Sequence, residues 1–485
     1  MSSIKWYFLT LLFPASALAG NSQHQDTAKP NIIFILTDDF AGNLVEFMPN
    51  LKAMQREGVT FSHYYVSNSL CCPSRSSIFT GRLPHNTGVQ TNTKPNGGYE
   101  VFMEQGNAQE SFCTALQQAG YKTAMMGKLL NGYLPTKHPP LPGWTDWFVA
   151  GAGYRNFDYD INSNGQVVHF GHAPGDYLTD VLSSRTDSLI RAWKDQPFFI
   201  EIATFTPHGP FIPAPRHQQL FNAEKAPRTP AFNKQADSTA PGWLRKIRPL
   251  GVQQIDRIDN IFRNRLRCIM SIDEMLGSIR KTLNETGASS NTYIFFSSDN
   301  GYHLGDYSLL QGKQTAFDID IRVPLIACGP HVAKGSLQQA IVSNIDLAPT
   351  FVALAGAQLT VQPDGRDIQH LLLEQNTEKI NWRNFAIIEH RRVNDDRNDP
   401  DRQEAEDGRL PSYTALRFHN LLYIEYETGE ISCYDVQNDP YELKNIASVL
   451  PGEVQKRLHS ILLAAKNCGG KNACWDVQLM KLENK

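Results

Sequence analysis

From residue 30 onward, short apolar runs alternate with stretches in which apolar residues recur every three or four positions. That alternation predicts an α/β fold, a largely parallel sheet covered by helices. The run from Asn31 to Leu36 is almost wholly apolar and closes on Thr37-Asp38-Asp39, as a buried central strand with polar groups at its carboxyl end does. Further strands are predicted over Tyr121 to Met126, Phe198 to Phe205, Tyr293 to Ser297 and Val323 to Ala327, each ending in small or polar residues. A helix is predicted from Ser111 to Gln118, stopped by Gly120. Ile255, Ile258, Phe262, Leu266, Ile269, Ile272, Leu276 and Ile279 put one apolar stripe along a second, long helix, which packs rather than catalyses.

Two stretches break this pattern. Prolines 207, 210, 213, 215, 227, 230, 241 and 249 fragment the segment from His208 to Leu250, predicting a long loop that serves as a lid or binding wall. Residues 390 to 412 form a second loop, highly charged, which reads equally well as a solvated excursion. After Asp364-Gly365-Arg366 the pattern changes to short spaced strands at Tyr413 to Arg417, Leu421 to Tyr426 and Ile431 to Val436, a small antiparallel unit. The expected division is a catalytic domain over 28–375 and a smaller α+β C-terminal subdomain over 376–485. A length of 485 residues agrees with two domains.

The net charge of −3 offers no basic field for nucleic acid. Residues 1–19 read as a signal peptide: Lys5 carries the charge, Trp6 to Leu18 is apolar, and Ala17-Leu18-Ala19 is a small-x-small cleavage site. Export without stable membrane insertion after cleavage follows. Eight cysteines are too sparse for a disulfide scaffold. Cys468 and Cys474, around a glycine-rich loop, are expected to pair; Cys113, Cys268 and Cys328 lie in apolar patterns and read as buried. Asn284-Glu285-Thr286 is a glycosylation sequon, of consequence in a eukaryotic source.

Chemistry concentrates at predicted strand ends, which an open α/β sheet gathers into one crevice. Asp38 and Asp39 repel each other unless a cation or donors sit between them, although helix capping also explains such a pair. Asp299-Asn300-Gly301 follows another apolar run and adds two oxygen donors, or else forms a turn. Together the four residues make an all-oxygen set suited to Ca²⁺ or Mg²⁺ rather than zinc. In Cys71-Cys72-Pro73-Ser74-Arg75, Pro73 fits the first turn of a helix, so Cys71 and Arg75 flank a helix N-terminus where an anion is favoured. A vicinal Cys71-Cys72 disulfide is the plain alternative.

Cys71-x-Pro73-Ser74-Arg75 followed by Thr80-Gly81-Arg82 resembles the signature of the type I formylglycine-dependent sulfatases. The resemblance runs from Lys29-Pro30-Asn31 to Asn438-Asp439-Pro440 and is closest to the N-acetylglucosamine-6-sulfatase branch, which shares the doubled cysteine and Asp299-Asn300-Gly301-Tyr302-His303. It implies an alkaline-phosphatase-like fold and conversion of Cys71 to formylglycine by a formylglycine-generating or anaerobic sulfatase-maturating enzyme. It also implies Ca²⁺ (Mg²⁺ less so) held by Asp38, Asp39, Asp299 and Asn300, with the modified Cys71 beside them. Arg75, Lys128, His208 and Lys313 match the family's sulfate-binding and proton-transfer positions, and His303 lies where it can contact substrate. One departure is leucine two residues after Lys128, where many sulfatases have histidine; Asn131 follows it. Glu389 and His390 are candidates to reach the site from the second domain.

The residue types suit the implied reaction. A sulfate ester carries diffuse negative charge that a metal and the cations Arg75, Lys128 and Lys313 hold. The two hydroxyls of a hydrated aldehyde provide one group to attack sulfur and one to expel sulfate afterwards. His208 or Lys313 supplies the proton to the leaving alkoxide. The expected substrate is a sulfated sugar such as N-acetylglucosamine 6-sulfate or a glycosaminoglycan, in the periplasm, the medium or a lysosome-like compartment. A phosphodiesterase or phosphonate monoester hydrolase can use the same metal and nucleophile, and a non-catalytic glycan-binding relative would keep Cys71 as a thiol.

Overall fold

The computed structural model describes residues 2–5, 29–151, 154–373, 381–392, 399, 401–402, 408–470 and 472–482. The apolar leader from Trp6 to Ala19 and the 375/376 boundary lie outside the described residues. Among the described residues no helix is long and apolar enough to cross a membrane.

Ten strands form the main sheet, in the order Ser336–Gln338, Val59–Phe61, Leu325–Cys328, Thr292–Ser298, Asn31–Thr37, Phe198–Ala203, Lys122–Lys128, Asp146–Ala150, Tyr159–Ser163 and Gln166–Phe170. The five from Thr292–Ser298 to Asp146–Ala150 are mutually parallel. They are the unbroken apolar runs of the sequence, because helices cover both faces. Ile32, Phe34 and Leu36 turn to one face, where Phe112 and Phe351 pack; Ile33 and Ile35 turn to the other, against Leu266, Ile269 and Ile272. Those last three belong to the helix Val252–Glu285, 34 residues long with its apolar stripe inward. One residue departs from the apolar rule. Glu201 sits mid-strand between Phe34 and Met125, fully buried, with neither carboxyl oxygen hydrogen-bonded. Burial pushes its carboxyl up to about 8 against the pull of Arg75.

Antiparallel pairs flank this parallel core, although the edge strand Ser336–Gln338 pairs parallel with Val59–Phe61. Leu325–Cys328 opposes Thr292–Ser298, and the strands Tyr159–Ser163 and Gln166–Phe170 make a hairpin. Its turn is Asn164-Gly165, both left-handed at φ 52° and 91°, the backbone a two-residue hairpin requires. The segment from His208 to Leu250 is mostly irregular but contains two short helical turns, Pro215–His217 and Gly242–Arg245. Cys113 and Cys268 are buried as expected, whereas Cys328, at a strand end, is partly exposed.

A separate antiparallel sheet joins Phe385–His390, Tyr413–Phe418, Leu421–Tyr426 and Ile431–Asp435. The helix Gly452–Asn467 covers it through Leu458, Ile461 and Leu462. Cys468, just after this helix, is disulfide-bonded to Cys474.

Candidate functional site

Four adjacent parallel strands deliver the site. Asn31–Thr37 leads into Asp38 and Asp39, Thr292–Ser298 into Asp299 and Asn300, Phe198–Ala203 towards His208, and Lys128 closes its own strand. The helix Cys71–Thr80 lies against these ends, with Cys71 at its first position and Pro73 at its third, where a missing amide proton costs no helical hydrogen bond. Ser74 fastens the helix by donating from Oγ to the Asp299 carbonyl at 2.5 Å. Gly81 ends it in a left-handed conformation, φ 70°, and a Cβ there would lie 2.8 Å from Pro363.

Cys71 is wholly buried. Its Sγ accepts from Lys313 Nζ at 2.8 Å and lies 3.3 Å from Asp38 Oδ1. Burial, then the carboxylates of Asp299 and Asp38, push the thiol well above its ordinary value. Cys72 carries no disulfide and donates its backbone N–H to Asn92 Oδ1 at 3.0 Å.

Around Cys71, acids and bases interlock. Lys128 Nζ donates to Asp38 at 2.5 Å and Lys313 Nζ to Asp39 at 2.6 Å. Arg75 Nε donates to Asp299 Oδ2 at 2.8 Å, and its Nη1 to the Lys128 carbonyl at 3.0 Å. Burial alone would raise Asp299, but Arg75, Lys128 and Lys313 hold it down at about 2. Asp38 goes the other way: burial and the charge of Asp299 raise its carboxyl above the usual range. His208 Nε2 lies 3.6 Å from Asp39 Oδ2, and although burial opposes its charge, Asp39, Asp38 and Asp401 raise its proton affinity.

The donor set fits a hard divalent cation. Asp38, Asp39 and Asp299 converge, Asp39 held in a left-handed conformation at φ 60°. Asn300 donates from Nδ2 to Asp39 at 2.7 Å, while its fully buried Oδ1 has no hydrogen-bond partner. Donor atoms of Asp38, Asp39, Cys71 and His208 all lie within 4.8 Å of one another. These buried donors could hold a metal ion together.

The structure thus brings Cys71, Arg75, Lys128, His208, Lys313, Asp38, Asp39, Asp299 and Asn300 into one cluster. His303 stands at its edge, bonded through Nδ1 to Asp320 at 2.9 Å and lining a cavity of about 270 Å³ shared with Asp39, His208, Tyr302, Lys313 and Asp401. Asn131 does not face the cluster directly; its Nδ2 donates to the Tyr154 hydroxyl at 2.7 Å. Glu389 turns away to His85, and its strand-end neighbour His390 stacks on Tyr413.

Two residues escaped the sequence reading. Tyr154 stacks on His208 with ring centroids 3.9 Å apart and lies beneath Lys128 Nζ at 4.5 Å. It follows the parallel strand Asp146–Ala150, so the strand-end rule pointed at it. Asp401 comes from the charged loop, and its carboxylate takes His208 Nε2 at 3.0 Å, Lys313 Nζ at 2.9 Å and Asn92 Nδ2 at 2.8 Å. No spacing marks it.

Comparison with known proteins agrees with this geometry. Residues 30–357 match the sulfatase family model, and residues 305–467 match the model described as N-sulphoglucosamine sulphohydrolase, C-terminal. The human N-acetylglucosamine-6-sulfatase is 32% identical over 477 residues, covering 92% of this chain and 86% of that one. The N-acetylglucosamine-6-O-sulfatase of Bacteroides thetaiotaomicron is 27% identical, over 90% and 87% of the two chains. A protein solved in complex with its substrate D-glucosamine-2-N,6-O-disulfate superposes with a TM-score of 0.77 at 23% identity, covering 92% of this chain and 98% of the other. The phosphonate monoester hydrolase of Agrobacterium radiobacter shares the fold at a TM-score of 0.70 and 19% identity, over 90% and 95%. With the family model matched across the whole strand-end cluster, the chain belongs to the sulfatase family of sulfuric ester hydrolases.

Proposed function

We propose that this sulfatase acts on sulfated sugars, with N-acetylglucosamine 6-sulfate or a glycosaminoglycan bearing it as the leading substrate, through a formylglycine formed from Cys71. The observation that carries the reading is the buried Cys71 at a helix N-terminus, with Lys313 at 2.8 Å and the oxygen cluster beside it. The names of the human and Bacteroides relatives support the sugar.

Asp38, Asp39, Asp299 and Asn300 would hold the cation, for which calcium suits the all-oxygen set. The ion supplies charge neutralisation to the sulfate when bound. Arg75, Lys128 and Lys313 complete the anion cradle. They are buried and already fixed by hydrogen bonds, so they need little reorganisation as charge develops. His208, held against Tyr154 with its proton affinity raised, serves as proton donor to the leaving sugar oxygen, with Lys313 beside it. The domain division near residue 375, the leader and export to a periplasmic or external compartment belong to the same proposal, as does a maturing enzyme that modifies Cys71.

Peptide mass analysis across residue 71 tests the nucleophile: formylglycine carries an aldehyde in place of the –CH2SH group, a loss of sulfur and two hydrogens and a gain of oxygen that separates it from both cysteine and serine, and an unmodified thiol throughout the active protein refutes it. Turnover of an aryl sulfate, a phosphate monoester and a phosphodiester side by side tests the reaction, and dominant phosphodiester turnover would overturn the assignment.

A further inference from the structure

A second cavity adjoins the one beside the site: Trp243 and Leu310 line both it, at about 830 Å³, and the first. The first, at about 270 Å³, lies near the lower end of ligand pockets and suits a single small group; the second lies near the upper end.

The second cavity is basic. Lys246 and Arg248 come from the proline-broken segment, Arg392 and Arg409 from the two ends of the charged loop. All four are exposed, and none forms an ion pair among the described residues. Its two acids, Glu427 and Glu430, accept backbone N–H groups of Ser412 and Gly242 and keep their charge, so four cations against two carboxylates leave the lining net positive. Arg257 and Arg402, both exposed, carry positive charge into the first cavity, at whose inner end Lys313 and His208 are paired with Asp39 and Asp401. In a chain whose net charge is −3, this is a local positive track leading from the catalytic cluster.

We infer that this track binds the remainder of a polyanionic glycan chain, flanking the sulfate ester seated at Cys71. The inference rests on the sulfated-sugar reading above and adds to it a preference for oligosaccharides over monosaccharides. A chain with a negative group on successive sugars matches cations that form no ion pair among the described residues, and a neutral chain gains nothing from them. Exposed charges of this kind act through a screened field, so the advantage depends on salt.

The test compares kcat/KM of the mature, calcium-loaded enzyme for 6-sulfated N-acetylglucosamine and for a glycosaminoglycan tetrasaccharide ending in the same group, at about 0.02 M and about 0.3 M NaCl. At low salt the tetrasaccharide is expected to be favoured by about tenfold or more, shrinking several-fold at high salt, and the double variant Arg248→Glu/Arg409→Glu to lose the advantage. Equal kcat/KM for the two lengths, or an advantage untouched by the reversal or by salt, overturns the inference. Absence of turnover on both sugars alongside turnover of a phosphodiester refutes the sulfatase reading instead. In that case calorimetric titration of the tetrasaccharide tests the track by itself: affinity weakened about tenfold by the double reversal supports it, and unchanged affinity overturns it.

Discussion

Glu201→Gln isolates the cost of an ionisable group in the main sheet. In the folded protein the Glu201 carboxyl is pushed up to about 8 from an ordinary 4.5, because it lies at 0% exposure without a hydrogen-bond partner. A folded-state value above the unfolded one means that its contribution is fully present below pH 4.5 and is lost as pH rises towards 8. Each unit of difference corresponds to about 1.4 kcal/mol, so between pH 5 and pH 7 the wild type loses about 2–3 kcal/mol relative to a variant that cannot ionise there. Glutamine keeps the volume, and its own unpaired amide adds an offset that does not change with pH, so only the slope is read. For a chain of this length that slope amounts to roughly 2–3 °C in Tm. Thermal unfolding of both proteins at matched calcium across pH 5 to 8 measures it. Parallel curves for wild type and Glu201→Gln would show that Glu201 is solvated or paired in the folded protein, and the account of the strand Phe198–Ala203 would fail.

Cys71→Ala is expected to reduce sulfate release by about 10³-fold or more while leaving the thermal transition within a few degrees of wild type, since it removes the nucleophile and not a structural bond; sulfate release by ion chromatography checks it, and retained activity sinks the nucleophile assignment. Asp299→Ala removes a proposed calcium ligand and the partner of Arg75, so metal content by mass spectrometry and turnover are expected to fall together. Chelation of the wild type is expected to lower Tm and abolish turnover, both restored by calcium. Asp401→Asn withdraws a carboxylate that holds Lys313 and His208, so inorganic sulfate is expected to inhibit about fivefold more tightly; weaker inhibition would show that Asp401 supports the anion cradle rather than competing with it.

What could be read from the sequence follows what depends on local pattern. Asp38, Asp39, Asp299 and Asn300 were legible because strands buried on both faces appear as unbroken apolar runs and their ends converge. The helix at Cys71 was legible because Pro73 tolerates only certain positions in a helix. The hairpin at residues 159–170 is legible in principle through Asn164-Gly165, yet its two strands are five residues each and half polar, too short to stand out from a loop. Asp401 was not legible at all: its place depends on Gln314, whose Nε2 donates to the Asp401 carbonyl at 2.7 Å, and on Asn92, more than 300 residues away in the chain. Glu201 shows as one charged letter in an apolar strand, and its burial decides its chemistry only once the helix Phe112–Gln118 covers that face.

The complete burial of Cys71 also sets an order of events in time. A second enzyme cannot grip a backbone segment that is the first turn of a buried helix and is stitched to Asp299 and Asn92. Any catalyst that oxidises this side chain must therefore meet the polypeptide while it is still extended. Asp299 and Lys313 follow Cys71 by more than two hundred residues, so a chain threaded from its N-terminus offers an open interval between the emergence of the cysteine and the closing of the fold around it.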